Sequence, residues 1–191
     1  ASATATRAEA DASNLNLPSS SGLLWDHNVI DSGFTHNDSN NSHQITLDSP
    51  GKYLVYANLP HKMTAAGERV HVGLSLKLDG SLVSGGVASQ GYLRFRDSES
   101  SLHWAGLITS SSANQVLTAE VSQMGSNTAV TSISPDRNAS IFIEKLPDSN
   151  RLFSATATET TFSSPLNWNV SAYPKWSTHE SIDSNYFTHS T

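Results

Sequence analysis

The sequence predicts an all-β fold, an antiparallel jelly-roll β-sandwich with extended N-terminal and C-terminal segments, on three observations. Short stretches of alternating apolar and polar residues recur along the chain. Turn-forming residues separate them, and no segment keeps a helical period for three turns. Many short strands punctuated in this way close into a sandwich or jelly roll, because each strand has one face to bury.

Taken in order, residues 1–22 are rich in Ala, Ser, Thr and Asn and are interrupted by Pro18 and Gly22, which reads as a linker carrying one strand. Phe34-Thr35-His36 is a short strand with an aromatic residue, leading into the polar strand Gln44-Ile45-Thr46-Leu47. Asp48-Ser49-Pro50-Gly51 is a strong turn, and Lys52 to Leu59 is the strand that follows it. The clearest alternation runs from Val70 to Leu78. Val70, Val72, Leu74, Leu76 and Leu78 face one side, and His71, Gly73, Ser75 and Lys77 face the other. This strand ends at Asp79-Gly80, a pair suited to tight primed hairpin turns because both residues tolerate positive φ. Ser81-Leu82-Val83 begins the return, and Gly80 to Gly91 reads as a long hairpin loop. Further strands are expected at Gly91–Arg96, Ser101–Ile108, Gln115–Gln123 and Ala139–Leu146. In the first of these, Tyr92 and Arg94 would share a face opposite Leu93 and Phe95.

The two ends of the chain carry similar text. Ser2-Ala3-Thr4-Ala5-Thr6 recurs as Ser154-Ala155-Thr156-Ala157-Thr158, and Ile30-Asp31-Ser32 recurs as Ile182-Asp183-Ser184. Phe34-Thr35-His36 recurs one residue out of step as Phe187-Thr188-His189. Trp25 answers to Trp176, and Asn14-Leu15-Asn16 to Asn167-Trp168-Asn169. Ordered matches of this kind read as one unit of a roughly 150-residue repeat and the opening of the next. A chain that opens and closes inside repeated text is expected to be an excerpt or a processed product. The expected organisation is a linker and first strand at 1–22, a module at 23–147, and a joint with the start of a second repeat at 148–191, available as a donated strand.

Composition narrows the function classes. The net charge of −6 leaves no basic footprint for nucleic acid. No apolar run approaches the roughly 18 residues that span a bilayer as a helix. The absence of cysteine excludes disulfides, zinc–thiolate sites and thiol catalysis. No Gly-x-Ser-x-Gly elbow marks a nucleophile, and the Gly80–Gly91 stretch lacks the Lys-Ser/Thr of a phosphate-binding loop.

The strand order resembles that of the C1q/tumour-necrosis-factor-like jelly roll over about Leu23 to Leu146. The resemblance is carried by Phe34-Thr35-His36, by Gly51-Lys52-Tyr53 and the aliphatic strand after it, and by the closing strand Ala139-Ser140-Ile141-Phe142-Ile143-Glu144-Lys145-Leu146. It implies a compact sandwich, frequently trimeric, used for recognition or as an exposed structural head. Similar tandem copies occur in long bacterial extracellular proteins. The family's closing phrase has a glycine after the phenylalanine, where this chain has Ile143.

Candidate sites fall into three groups. Asp26, His27, His36 and Asp38 are candidate metal ligands, since imidazole and carboxylate together suit zinc and other divalent ions. His179 and His189 stand at the corresponding places of the second copy. Their spacing matches no ligand pattern, and a strand whose side chains hydrogen-bond alike in each copy explains the recurrence as well. Asp48, Asp79, Asp97 and Asp136 sit in turn-like stretches where calcium could be held, and where aspartate also satisfies loop backbone. Calcium is therefore the cofactor to consider, with no cofactor as the expectation. Candidate contact residues are Tyr92, Arg94 and Arg96, then Trp104 as core or subunit interface, and Phe153, Phe162, Trp168, Trp176 and Phe187 in the second-copy segment.

These readings add up to a non-catalytic structural or adhesive module of a repetitive extracellular or cell-surface protein or filament, assembling through like-to-like contacts. Strand donation by residues 153–191 is the sharper form of the same expectation. Partners would be other copies of the chain, or a glycan or cell-surface receptor, with no nucleic acid and no membrane insertion. The alternative is a receptor- or glycan-binding head of a phage tail fibre or virion surface protein.

Overall fold

A computed structural model of the chain describes residues 2–5, 21–25, 27–30, 32–37, 39–63, 69–123, 131–133, 138–147, 153–156 and 178–182. They fall into two units, Ala1–Leu146 and Pro147–Thr191. All of the regular structure among the described residues is β-strand.

The first unit holds β1 (Ser2–Ala5), β2 (Ser21–Gly22), β3 (His27–Ile30), β4 (Phe34–His36), β5 (Gln44–Leu47), β6 (Gly51–Met63), β7 (Val70–Leu78), β8 (Ser81–Leu93), β9 (Glu99–Ser110), β10 (Gln115–Gln123), β11 (Thr131–Ile133) and β12 (Ala139–Lys145). One sheet runs β3-β1-β12-β6-β9, with β11 continuing beside β6 beyond β12. The other runs β4-β5-β10-β7-β8, with β2 beside β10. Every pairing is antiparallel, and successive strands from β5 to β10 alternate between the sheets except at the β7–β8 hairpin. That interleaving is the jelly roll.

The core lies between the sheets and is built by alternation. On β6, Tyr53, Val55, Ala57 and Leu59 point inward at 0–1% exposure. Opposite them on β9 stand Ile108, Gly106, Trp104 and Leu102. Trp104 fits because its neighbours are small. It faces Ala57 across the strands, and a Cβ added to Gly106 would come within 2.8 Å of its Cη2. The second sheet contributes Val70, Val72, Leu74 and Leu76 of β7, Leu117, Ala119 and Val121 of β10, and Ile45 and Leu47 of β5. Trp25, fully buried, closes one side, and Phe34 packs edge-on against Tyr53 at 5.9 Å between ring centres.

Two sequence expectations are corrected. Gly80–Gly91 is not a loop, because β8 extends from Ser81 to Leu93 and pairs with β7 from Leu78–Ser81 to Val70–Leu93. Its small residues, Ser84-Gly85-Gly86-Val87-Ala88-Ser89, carry little side-chain signal for a strand, but the β7 edge beside them supplies the ladder. The strand expected over Gly91–Arg96 ends at Leu93, and Phe95 is 68% exposed rather than buried on the face of Leu93. Elsewhere the expected strands appear, with β6 and β9 longer than their alternation suggests. Pro60 stands within β6 where the β12 pairing has stopped at Asn58 and the β11 pairing begins at His61, so its missing N–H breaks no ladder there.

The Asp79-Gly80 turn forms as expected, with φ of +48° and +78° at its two residues. Asp79 also anchors one end of the sandwich. Its carboxylate accepts the Val116 N–H and the Gln115 side-chain amide, each at 2.8 Å, and its own N–H donates to the Val116 carbonyl. Gln115 in turn accepts from the Ser110 hydroxyl and the Ser111 N–H.

The second unit contains β13 (Phe153–Thr156) and β14 (Thr178–Ile182), paired antiparallel.

Candidate interaction surface

The outward face of the β12-β6-β9 sheet is apolar at its centre. In an antiparallel sheet, residues directly opposite one another share a face, so the register defines rows across it. One row is Phe142–Tyr56–Ala105 and the next is Glu144–Leu54–Leu107. Ser140–Asn58–His103 borders them, and Ser2 and Thr4 of β1 continue the first and third rows beyond β12. Leu54, Tyr56 and Phe142 are 42%, 47% and 46% exposed. The Tyr56 hydroxyl lies 3.4 Å from Nδ1 of His103, their rings tilted at 6.3 Å, so the aromatic is tied at its polar end and bare along its side. An apolar row flanked by polar side chains is the composition of a contact face.

Sequence reasoning passed over these residues, although a signal was present. Tyr53-Leu54-Val55-Tyr56 and Ile141-Phe142-Ile143 are apolar in both phases of the strand alternation, whereas a sheet with one solvated face alternates with polar residues.

A second cluster gathers some of the expected contact residues. Tyr92 is 51% exposed and meets His71 edge-on at 6.3 Å, while Nε2 of His71 lies 2.9 Å from the Gln90 side-chain oxygen. Beyond the end of β8 the Arg94 guanidinium sits 5.8 Å from the Phe95 ring centre. Arg96 and Lys62 both approach Asp97, at 3.9 and 3.1 Å, in the turn that leads into β9. Tyr92, Arg94 and Arg96 are thus exposed at one corner of the second sheet. Trp104 is not among them: at 1% exposure it belongs to the core and offers no surface to a partner. Phe153 begins β13, and Phe162, Trp168, Trp176 and Phe187 lie outside the described residues.

The candidate metal ligands divide similarly. His36 is on β4, and its Nε2 lies 3.0 Å from the Ser42 carbonyl, which also accepts the Trp25 N–H at 2.9 Å. This ring therefore helps hold the β4–β5 connection over Trp25. The backbone of His27 pairs with Thr4, and Asp26 and Asp38 lie outside the described residues. Among the turn aspartates, Asp48 accepts the Thr35 hydroxyl at 2.9 Å, Asp79 caps the Val116 strand and Asp97 pairs with Lys62. Asp136 lies outside the described residues. No group of three or more His, Asp or Glu is arranged to hold a metal ion among the described residues.

One buried titratable group stands apart from both surfaces. His61, 1% exposed on the inner face of β6, has neither ring nitrogen in a well-formed hydrogen bond. Burial pushes its pKa below 6.5, and the Leu59 backbone opposes that shift more weakly. Gly91 makes room for the ring, since a Cβ there would stand 2.6 Å from its Cε1. No helix among the described residues is long and apolar enough to cross a membrane.

No family model matches the chain, and no curated protein matches it. Solved structures similar to it include the crystal structure of murine APRIL at pH 5.0, at 15% identity and a TM-score of 0.41, over 68% of this chain and 94% of that one. The crystal structure of murine APRIL at pH 8.0 is similar at 17% identity and a TM-score of 0.39, over 70% and 94%. The order of strands within the two sheets carries the jelly-roll assignment without them.

Proposed function

We propose that the chain is a non-catalytic structural and adhesive module of a repetitive extracellular protein or filament, and that it assembles with other copies of itself. The observation behind this reading is the row Phe142–Tyr56 with Leu54 beside it, apolar and close to half exposed on a sheet whose other face already fills the core. An apolar row bordered by polar and charged side chains, among them Asn58, Ser140, His103 and Glu144, suits a second copy of the same sheet, because each copy brings both the row and its border. The repeated text at the two ends supports an array, in which weak contacts multiply along one molecule.

Sedimentation velocity over a wide concentration range tests the reading. The wild-type chain is expected to self-associate, and Tyr56→Lys with Phe142→Glu is expected to weaken that association at least about tenfold while leaving a folded monomer. A chain that stays monomeric at every concentration removes the proposal.

The exposed corner of Tyr92, Arg94 and Phe95 favours a second reading, a receptor- or glycan-binding head of a tail fibre or virion surface. A glycan array run with the wild type and with Tyr92→Ala separates the two, since loss of a bound spot in the variant would favour the head.

A further inference from the structure

The two ends of the chain read alike, and each forms an antiparallel strand pair. β1 and β3 are antiparallel through Ser2–Ile30, Ala3–Asn28 and Thr4–His27, with an irregularity between Ser2 and Ala3 where Val29 is passed over. β13 and β14 are antiparallel through Ser154–Ser181, Ala155–His179 and Thr156–Thr178, with an irregularity between Ser154 and Ala155 where Glu180 is passed over. The connections within the two pairs, residues 6–26 and 157–177, are of equal length. The irregularity falls at the same Ser-Ala step in both pairs, while the register differs by one residue, since Ser2 faces Ile30 and Phe153, not Ser154, faces Ile182.

The two copies differ in their neighbours. β1 is paired along both edges, to β3 on one side and to β12 on the other through Ser2–Phe142, Ala3–Ile141, Thr4–Ser140 and Ala5–Ala139. Among the described residues β13 pairs with β14 alone. The register places positions 3 and 5 on the face of Ile141 and Ala139, which are 1% and 0% exposed, and positions 2 and 4 on the outward face. The residues at this place alternate hydroxyl and small apolar along the strand, Ser2-Ala3-Thr4-Ala5. Ser154-Ala155-Thr156-Ala157 has the same residues in the same phase.

We propose that Ser154–Ala157 of one copy takes the place of Ser2–Ala5 between β12 and β3 of a second copy, joining copies head to tail. This rests on the self-assembly reading above and names one junction for it. The accepting sheet regains the ladder it loses with Ser2–Ala5, while β13 exchanges its one partner β14 for a place between two strands. The donated segment belongs to the second unit, Pro147–Thr191, and the accepting strands belong to the first. The interaction is heterologous, since the donating and accepting segments differ, and it extends to a filament unless it closes into a ring.

The absence of cysteine lets introduced thiols report without background. Two single variants, Ser154→Cys and Phe142→Cys, are mixed in equal amounts and treated with a short thiol-to-thiol cross-linker. A chain carrying both Ser2→Cys and Phe142→Cys calibrates the yield for strands in this register. The expected result is a covalent heterodimer whose yield rises with concentration, rises further when residues 1–6 are deleted from the Phe142→Cys partner, and vanishes when the donor also carries Ala155→Pro. A chain bearing both Ser154→Cys and Phe142→Cys that closes only on itself would overturn the exchange in favour of an intramolecular one. Oligomers seen by sedimentation without the heterodimer would overturn the exchange and leave self-assembly standing. A wild-type chain that stays monomeric in sedimentation, with no cross-link in the variants, would overturn both.

Discussion

The two faces of the β12-β6-β9 sheet are both apolar at their centre, yet they play different parts. Inward, Val55, Ala57, Trp104 and Ile141 are exposed by no more than 1% and belong to the buried cluster that also holds residues of the opposite sheet. Outward, Leu54, Tyr56 and Phe142 keep 42–47% of their surface in water. The same strands present both sets, one residue out of phase, so the contrast does not come from strand propensity. The inner set is explained by folding of the module, through removal of apolar surface from water at about 25 cal/mol per Å². The outer set gains less from folding, and on the self-assembly reading proposed above it serves a contact made after it.

Truncations break that contrast most visibly. Trp104→Ala is expected to cost about 3–5 kcal/mol, because the fully packed indole lies against Gly106 and Ala57, neither of which can fill the space it leaves. Phe142→Ala, on the outer face, is expected to cost under about 1 kcal/mol, the range of a cross-strand aromatic pair, with its larger effect on association. Urea unfolding of both variants at low protein concentration checks the pair, and equal losses would remove the distinction between the faces.

A smaller effect sharpens the inner side. His61 stands among apolar residues with its pKa depressed by burial, so the unfolded chain binds its proton more readily than the folded one. Stability is therefore expected to fall as the pH drops below about 6.5 and to level off beneath the folded value, with a slope of at most about 1.4 kcal/mol per pH unit. His61→Leu is expected to flatten this part of the curve. Denaturation midpoints measured across that range for both chains test it, and an unchanged slope would assign the effect to other histidines.

The smallest expected effect lies at the rim, away from either face. Asp79 has its pKa lowered chiefly by the Val116 N–H and secondarily by Gln115, so its contribution is present above the ordinary carboxylate range and lost as the pH falls through its lower folded value. Asp79→Asn, which tolerates the same positive φ, is expected to remove this acid sensitivity without disturbing the hairpin. Comparison of acid unfolding curves for the two chains is the check.

Much of this architecture is legible in the residues. The alternation from Val70 to Leu78 sets that strand and its buried face, Asp79-Gly80 sets the turn after it, and the order of turn signals sets a sandwich of antiparallel strands. The stretch from Ser84 to Ser89 was not legible, because small residues bear no periodic signal and take their strand from the edge of β7. The corner at Arg94 to Asp97 misled for the opposite reason. Its apolar and charged residues alternate like a strand, but the chain turns there, with Asp97 at a φ of +66° and its N–H bonded to the Met63 carbonyl.

The candidate surfaces divide along the same line. Tyr92 and Arg94 could be named as exposed because a neighbouring strand position is apolar and buried. Tyr56 and Phe142 could not, since an apolar residue in an apolar run reads as core whichever way it points. By itself the sequence determined that this is a strand-built module without thiol chemistry, and that its opening text returns near its end. Which of two apolar faces is filled, which aromatic residues remain in water, and which distant strands flank the opening segment were decided by the tertiary structure. The physical reason is that local order in a strand fixes only the alternation of its side chains. Burial depends on whether another sheet packs over a given face, and pairing depends on which distant strand lies alongside.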